Sequence, residues 1–263
     1  MIIFLSDLHL GRGSSQESRD AEKDVLLLLQ EHDYVLRTQP GAALFLVGDV
    51  FDQYIEYRHL VPKGFVRFQG HLAGLADAGV PVTYVVGNRD PWHLDYFETE
   101  LGIKVVRNAL QAKLAERSVY IAHGDGLVPA ERIYNRIKPL LRNSLIARAY
   151  RNGLPGDAAY ALARVVGRRS RGTRTGGVGT PDATHALELA AGQIIRETET
   201  NAVVFGHSHT ASLKRWPEGI YVNPGYWFKN RTFVTLSSDG FRLLEWRDGR
   251  AVVLTSEAPP RHA

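Results

Sequence analysis

Seven side chains able to bind a metal ion fall in five short motifs. They are Asp7 and His9 in SDLH, Asp49 in GDVFD, Asn88 in GNRD, His123 in HGD, and His207 and His209 in GHSH. Four imidazoles, two carboxylates and an amide form a mixed set that suits Mn²⁺, Fe²⁺ or Zn²⁺ better than Ca²⁺ or Mg²⁺. The set is too large for one catalytic ion that must keep open positions. It suits two ions about 3.5–4 Å apart that share a carboxylate. Two such ions acidify a water and neutralise charge on the group it attacks, so the chemistry expected is metal-assisted hydrolysis. Cysteine is absent, which removes disulfides, thiolate metal sites and a Cys nucleophile. The histidines at 32, 59, 71, 93, 185 and 262 lack comparable context and receive no ligand role.

Positioning these residues requires strand ends. Each motif follows an apolar, strand-like run: Ile2–Leu5, Ala43–Val47, Val82–Val86, Val119–Ala122 and Val203–Phe205. In layered α/β folds the C-terminal ends of the strands form the binding edge, so five strand ends deliver seven ligands to one rim. Residues i and i+2 after a strand can point the same way, making clamps of Asp7 with His9 and of His207 with His209. Gly48, Gly87, Gly124 and Gly206 are expected to let the backbone turn sharply beside the ligands.

Between the strands, helical spacing predicts helices over Asp20–Arg37 and Pro62–Asp77, giving a βαβαβ start to an α/β layered domain. Lys104–Val106, Gln111–Leu114 and Ser118–Ala122 read as shorter strands of a second sheet. Arg132–Leu141 and Ala158–Arg168 read as helices, and Thr173–Thr180 as a flexible Gly/Thr loop. A helix is predicted over Pro181–Thr198 with Asp182 as its N-cap, followed by strands from Ala202 to Leu254. The organisation expected is one domain over 1–255, a helical cap inserted at about 127–175, and a disordered tail over 256–263.

Composition narrows the class. With 44% hydrophobic and 23% charged residues, the chain has the make-up of an ordinary soluble globular protein. No apolar run approaches the roughly 18–20 residues that cross a bilayer, and no basic leader precedes Ile2, so the reading is cytosolic. The net charge of +4 is concentrated. From Arg132 to Arg174 eleven Lys/Arg face one acid, Asp157. That block admits nucleic-acid binding, contact with anionic lipid headgroups, or a solvated face.

The set D-x-H, GD-x-x-D, GN-x-D, HGD and GH-x-H, running from residue 7 to 209, resembles the calcineurin-like metallophosphoesterases. The resemblance implies a four-layered αββα sandwich. It also implies one metal on Asp7, His9, Asp49 and His209 and another on Asp49, Asn88, His123 and His207, with Asp49 bridging. In most of this superfamily a His follows the GN and is thought to protonate the leaving group; here Arg89 follows it. A guanidinium stays protonated, so Arg89 cannot serve as that acid, but it can clamp phosphate oxygens bidentately. The substitution fits a leaving group that needs no acid, as in pyrophosphate cleavage.

GNRD together with HGD is similar to the UDP-2,3-diacylglucosamine pyrophosphatases of lipid A biosynthesis. This likeness implies hydrolysis of a UDP-linked acylated sugar to UMP and a lipid 1-phosphate, usually with Mn²⁺, with a helical lid between HGD and GH-x-H. It implies work at the inner-membrane surface by a cytoplasmic, peripherally attached protein. Asn88 and Arg89 become the catalytic and substrate-contacting pair. The lid of better-known members also supplies Ser, Asn and Lys contacts; here only Ser170 carries over, and Glu131 corresponds to the acid after HGD. Leu140, Leu141, Leu145, Ile146, Leu154, Leu162, Val165 and Val166 supply apolar surface, either for acyl chains or for helix packing. The rivals are another metallophosphoesterase, such as a phosphodiesterase or nuclease, and a non-catalytic scaffold, which would have lost ligands. Arg89 and the apolar lid disfavour nucleic acid, and no protein partner is evident.

Overall fold

The computed structural model describes residues 1–172 and 179–257, with the backbone alone at 164 and 166–172. The first half runs β1 (Ile2–Leu5), α1 (Ser15–Glu31), α2 (Asp33–Thr38), β2 (Ala43–Val47), α3 (Val66–Asp77), β3 (Val82–Val85), α4 (Tyr96–Thr99), β4 (Lys104–Val106), β5 (Ala109–Leu114) and β6 (Arg117–Ala122). Helices α5 (Arg132–Leu141), α6 (Ser144–Gly153), α7 (Gly156–Gly172) and α8 (Pro181–Glu197) follow. The chain then continues through β7 (Ala202–Val204), β8 (Ser212–Trp216), β9 (Gly219–Asn223), α9 (Trp227–Asn230), β10 (Thr232–Ser237), β11 (Gly240–Arg247) and β12 (Arg250–Ser256).

Two sheets result, ordered β12-β11-β10-β1-β2-β3-β4 and β5-β6-β7-β9-β8. β1 to β4 are parallel, as are β6, β7 and β9. Side chains alternate across each strand, and the core divides accordingly. Ile3, Leu5, Leu44 and Leu46 pack against Val25, Leu28, Phe68 and Leu72 of α1 and α3. From the opposite face Ile2, Phe4, Phe45 and Val47 meet Val119, Ile121, Val204 and Val222 of the second sheet. Beyond that sheet Val203, Phe205 and Tyr221 pack on Leu187, Ala191 and Ile195 of α8. The layers are therefore α, β, β, α. Strands β1 to β3 are buried on both faces, which is why they read as unbroken apolar runs.

Several elements depart from the sequence reading. β4 pairs in parallel with β3 at the edge of the first sheet, not in the second. α1 begins at Ser15, under a capping box of Ser14 and Glu17, and His32 separates it from α2. The second predicted helix starts only at Val66, after Phe65 in a left-handed conformation. Thr180, not Asp182, caps α8: its hydroxyl accepts from Ala183 N, with Pro181 at the first helical position. β8 and β9 join the second sheet, whereas β10 to β12 return to the first. At the C-terminal end β12 includes Ser256, and the Glu257 carboxylate accepts from Arg117 and from Phe241 N. The remainder of the expected tail, 258–263, and residues 173–178 of the Gly/Thr loop lie outside the described residues.

Candidate metal centre

Parallel strands place all five motifs at C-terminal strand ends, and there the chain turns through backbone conformations that few residues accept. Asp7, His9, Asp49, His207 and His209 have φ of 54°, 43°, 52°, 65° and 58°. A left-handed conformation costs a non-glycine residue about 1–2 kcal/mol, so five ligand candidates are held under local strain. The adjoining glycines serve a second purpose, close approach. A Cβ on Gly48 would stand 2.4 Å from His123 Nδ1, and one on Gly87 would stand 2.2 Å from Asp49 Oδ1.

The donors converge in two groups. In the first, His9 Nε2 lies 3.0 Å from His209 Nε2, and these atoms are 3.5 Å and 3.1 Å from Asp7 Oδ1. Asp7 Oδ2 accepts from Ser6 Oγ at 2.5 Å and from His207 N at 3.0 Å, whereas Oδ1 is buried with no hydrogen-bond partner. Burial pushes the His9 imidazole down to about 4 and lowers His209 as well, so both rings are neutral near pH 7. Two neutral imidazole nitrogens and an unsatisfied carboxylate oxygen aimed at one point are the donor set of a cation site.

In the second group, Asn88 Oδ1 lies 3.1 Å from His123 Nε2 and 3.0 Å from His207 Nδ1, and Asp49 Oδ1 lies 3.5 Å from His123 Nε2. Asp49 Oδ2 reaches toward the first group, 3.6 Å from His9 Nε2. Asp7 is close to both groups: its donor lies within 4.8 Å of those of Asp49 and His123 as well as those of His9 and His209. His123 Nδ1 donates to the Val47 carbonyl at 2.8 Å, which points Nε2 into the site. Burial opposes charge on His123, but Asp49, then Asp7 and Asp125, outweigh it and raise the imidazole to about 10. Burial likewise opposes charge on Asp49 and Asp7, yet the neighbouring histidines hold both carboxyls below the usual range. All seven candidates therefore come together, and their chemistry fits two cations.

Glu131 is also within reach, its Oε2 2.9 Å from His207 Nε2. The Arg89 backbone N–H donates to Asp49 Oδ1 at 2.7 Å. The Ser170 side chain lies outside the described residues. Among the described residues neither donor group takes in a further histidine. His93, for instance, is buried against Tyr54, Tyr84 and Phe97.

Four supporting residues received no role from the sequence. Asp90 is fully buried and accepts from Gly87 N and Val50 N, both at 2.8 Å, and from Tyr84 OH at 2.5 Å. It thereby ties the GDVFD and GNRD loops together, and burial, then Asp49, push its carboxyl up to about 6. Arg12 donates to Asp52 Oδ1 and to Tyr226 OH, both at 2.7 Å. Tyr226 stacks on His209 at 4.0 Å, and Asp52 Oδ1 sits 3.6 Å from His9 Nδ1. Asp52 and Asp90 are the trailing acids of GD-x-x-D and GN-x-D, a signal that was present. Arg12 and Tyr226 carry none.

No family model matches the chain. Curated relatives do. It is 30% identical over 225 residues to UDP-2,3-diacylglucosamine hydrolase of Porphyromonas gingivalis, an alignment covering 79% of this chain and 82% of that protein. The chain belongs to the UDP-2,3-diacylglucosamine hydrolase family of calcineurin-like metallophosphoesterases. The family member of Stutzerimonas stutzeri is also 30% identical, over 80% of this chain and 82% of its own, and that of Nitrosococcus oceani is 27% identical over 94% and 97%. Among solved structures, Vacuolar Protein Sorting 29 from Cryptosporidium parvum overlaps 97% of each chain at TM-score 0.47 and 14% identity. The phosphoesterase Yfce from E. coli overlaps 95% of this chain and 96% of its own at TM-score 0.47 and 16% identity. With its family and two Asp/His donor groups established, the chain is a metal-dependent hydrolase of the phosphoesterase type.

Proposed function

We propose that this hydrolase cleaves the pyrophosphate bond of UDP-2,3-diacylglucosamine, adding water across P–O–P to give UMP and 2,3-diacylglucosamine 1-phosphate. The observation that carries the substrate is the mounting of α5. This helix buries none of its residues, and Ile133, Ile137 and Leu140 are 79%, 40% and 55% exposed. Its N-cap, Glu131, touches His207 of the donor cluster. An apolar stripe that begins at a phosphate-cleaving site and faces outward suits a substrate with a phosphate centre and acyl chains. The curated relatives bear the name of that activity.

In this reading Asp7, His9, Asp49 and His209 hold one ion, and Asp49, Asn88, His123 and His207 hold the other. When bound, the two ions (Mn²⁺, with Fe²⁺ or Zn²⁺ acceptable to the same donors) neutralise phosphoryl charge and acidify water. Asn88 and Arg89 contact the pyrophosphate. Arg89 binds its oxygens and leaves the departing phosphate to go unprotonated, which a phosphate can do and a simple alkoxide cannot. Glu131 contacts the substrate. Residues 127–175 form a cap on a single domain spanning 1–255. No described helix is long and apolar enough to cross a membrane. The basic residues of the cap and its exposed Leu145 and Ile146 support peripheral attachment of a cytoplasmic protein to the inner membrane.

Product analysis tests the proposal. Purified protein with Mn²⁺ and UDP-2,3-diacylglucosamine should release UMP and the lipid 1-phosphate, with little turnover of a generic phosphodiester. Turnover of the generic ester alone would support the rival phosphodiesterase or nuclease reading.

A further inference from the structure

Helix α5 is mounted with polar groups inward. Tyr134, Lys138 and Arg142, spaced four apart from the helix into its C-cap, converge on the carboxylate of Asp125, which is 5% exposed. Tyr134 OH donates at 2.6 Å, Lys138 Nζ lies 3.0 Å away, and Arg142 Nη2 lies 3.1 Å from both carboxylate oxygens. Lys138 also donates to the Asp125 carbonyl at 2.5 Å. Arg142 reaches on to the carbonyls of Val86 and Gly87, at 3.3 Å and 3.4 Å, immediately before Asn88. Asp125 itself is two residues beyond His123.

One carboxylate beside the donor cluster thus holds three α5 side chains. A ten-residue helix is marginal in isolation, so its placement depends on what it is tied to. Apolar packing ties it only weakly, since no residue of α5 is fully buried, and Trp92 Nε1 adds one bond to the Leu141 carbonyl at 2.6 Å. The charge-assisted bonds to a desolvated carboxylate are the strongest contacts the helix makes with the sandwich.

We propose that Asp125, Tyr134, Lys138 and Arg142 form a positioning hook that seats α5 beside the metal cluster. Through α5 the hook sets how tightly the acylated part of the substrate is held, without touching the reacting atoms. The substrate half of this inference rests on the function proposed above; the structural half does not.

The test uses the intact protein and the double variant Tyr134→Phe/Lys138→Gln. Amide hydrogen exchange of the protein alone should show α5 exchanging about tenfold faster or more, with β1 and β6 unchanged. With Mn²⁺ and UDP-2,3-diacylglucosamine, KM should rise about tenfold while kcat stays within about twofold. Lys138→Arg, which keeps a cation at Asp125, should leave both readouts near wild type. Unchanged α5 exchange would overturn the hook, and so would a fall in kcat at constant KM. If neither the wild-type protein nor the variant cleaves this substrate, the proposed function has failed, and the exchange measurement still decides the hook.

Discussion

Asp90 is the residue whose loss should do most damage for least change in shape. Its carboxylate accepts from Gly87 N, Val50 N and Tyr84 OH in a fully buried position. In Asp90→Asn one oxygen becomes an NH₂ that must face a donor. The side chain can keep Val50 N and Tyr84 OH on its remaining oxygen, but it then leaves Gly87 N unsatisfied against the amide. A lost hydrogen bond to a charged group is worth about 1.5–3 kcal/mol, and a buried N–H left without a partner costs about 1–3 kcal/mol. The two descriptions overlap, so the net loss should be about 2–4 kcal/mol, a fall in Tm of roughly 4–16 °C for a chain of this size. Because Val50 follows Asp49 and Gly87 precedes Asn88, the two loops should also separate, lowering Mn²⁺ affinity about 10–100-fold. Tyr84→Phe is the graded control: it removes one donor, keeps the ring, and should cost about half as much. Guanidinium denaturation and Mn²⁺ titration of the three proteins read both quantities. Asp90→Asn with wild-type stability and metal affinity would show that Asp90 does not tie the two loops together.

Three further outcomes are expected. Asp49→Ala should abolish turnover and reduce bound Mn²⁺ together, since Asp49 faces both donor groups; a variant keeping two tightly bound ions by elemental analysis would contradict its bridging position. Arg89→Ala should keep near-normal metal content while kcat falls about 10²–10³-fold, and full activity would remove Arg89 from the mechanism. His93 gives a pH dependence. Burial, then Arg107 and Arg151, push its imidazole down to about 3, so below the unfolded value of about 6.5 the unfolded chain takes up a proton that the folded chain refuses. Stability is then lost as pH falls. At pH 5 the loss is about 2 kcal/mol relative to pH 7.5, so His93→Phe, which suits the aromatic surroundings, should gain that much on the wild type between those pH values. A stability difference independent of pH would show that His93 is not held neutral.

Much of the fold was legible because its central strands are buried on both faces: Ile2–Leu5, Ala43–Val47 and Val82–Val85 cannot be mistaken for surface. Lys104–Val106 was assigned to the wrong sheet because a three-residue strand with an exposed lysine carries no mark of its partner; only pairing to β3 decides it. The Ser14-x-x-Glu17 capping box was readable and marks the true start of α1. The site was legible as residue types after strands, whereas its support was not. Arg12 and Tyr226 are 214 positions apart, and nothing local announces their contact. Gly48 and Gly124 turn at positive φ beside the ligands as the sequence predicts, but Gly87 and Gly206 do not, and Asp7, His9, Asp49, His207 and His209 take left-handed conformations themselves. The sequence of α5 shows two faces without showing which turns inward, because the deciding carboxylate, Asp125, lies outside the helix.

Anomalous diffraction at the manganese edge, from crystals grown with Mn²⁺, would locate the pair of ions that these seven side chains are proposed to hold. Two peaks are predicted about 3.5–4 Å apart. One should lie among Asp7, His9 and His209, the other among Asn88, His123 and His207, with Asp49 between them. A single peak, or peaks away from these residues, would contradict that assignment.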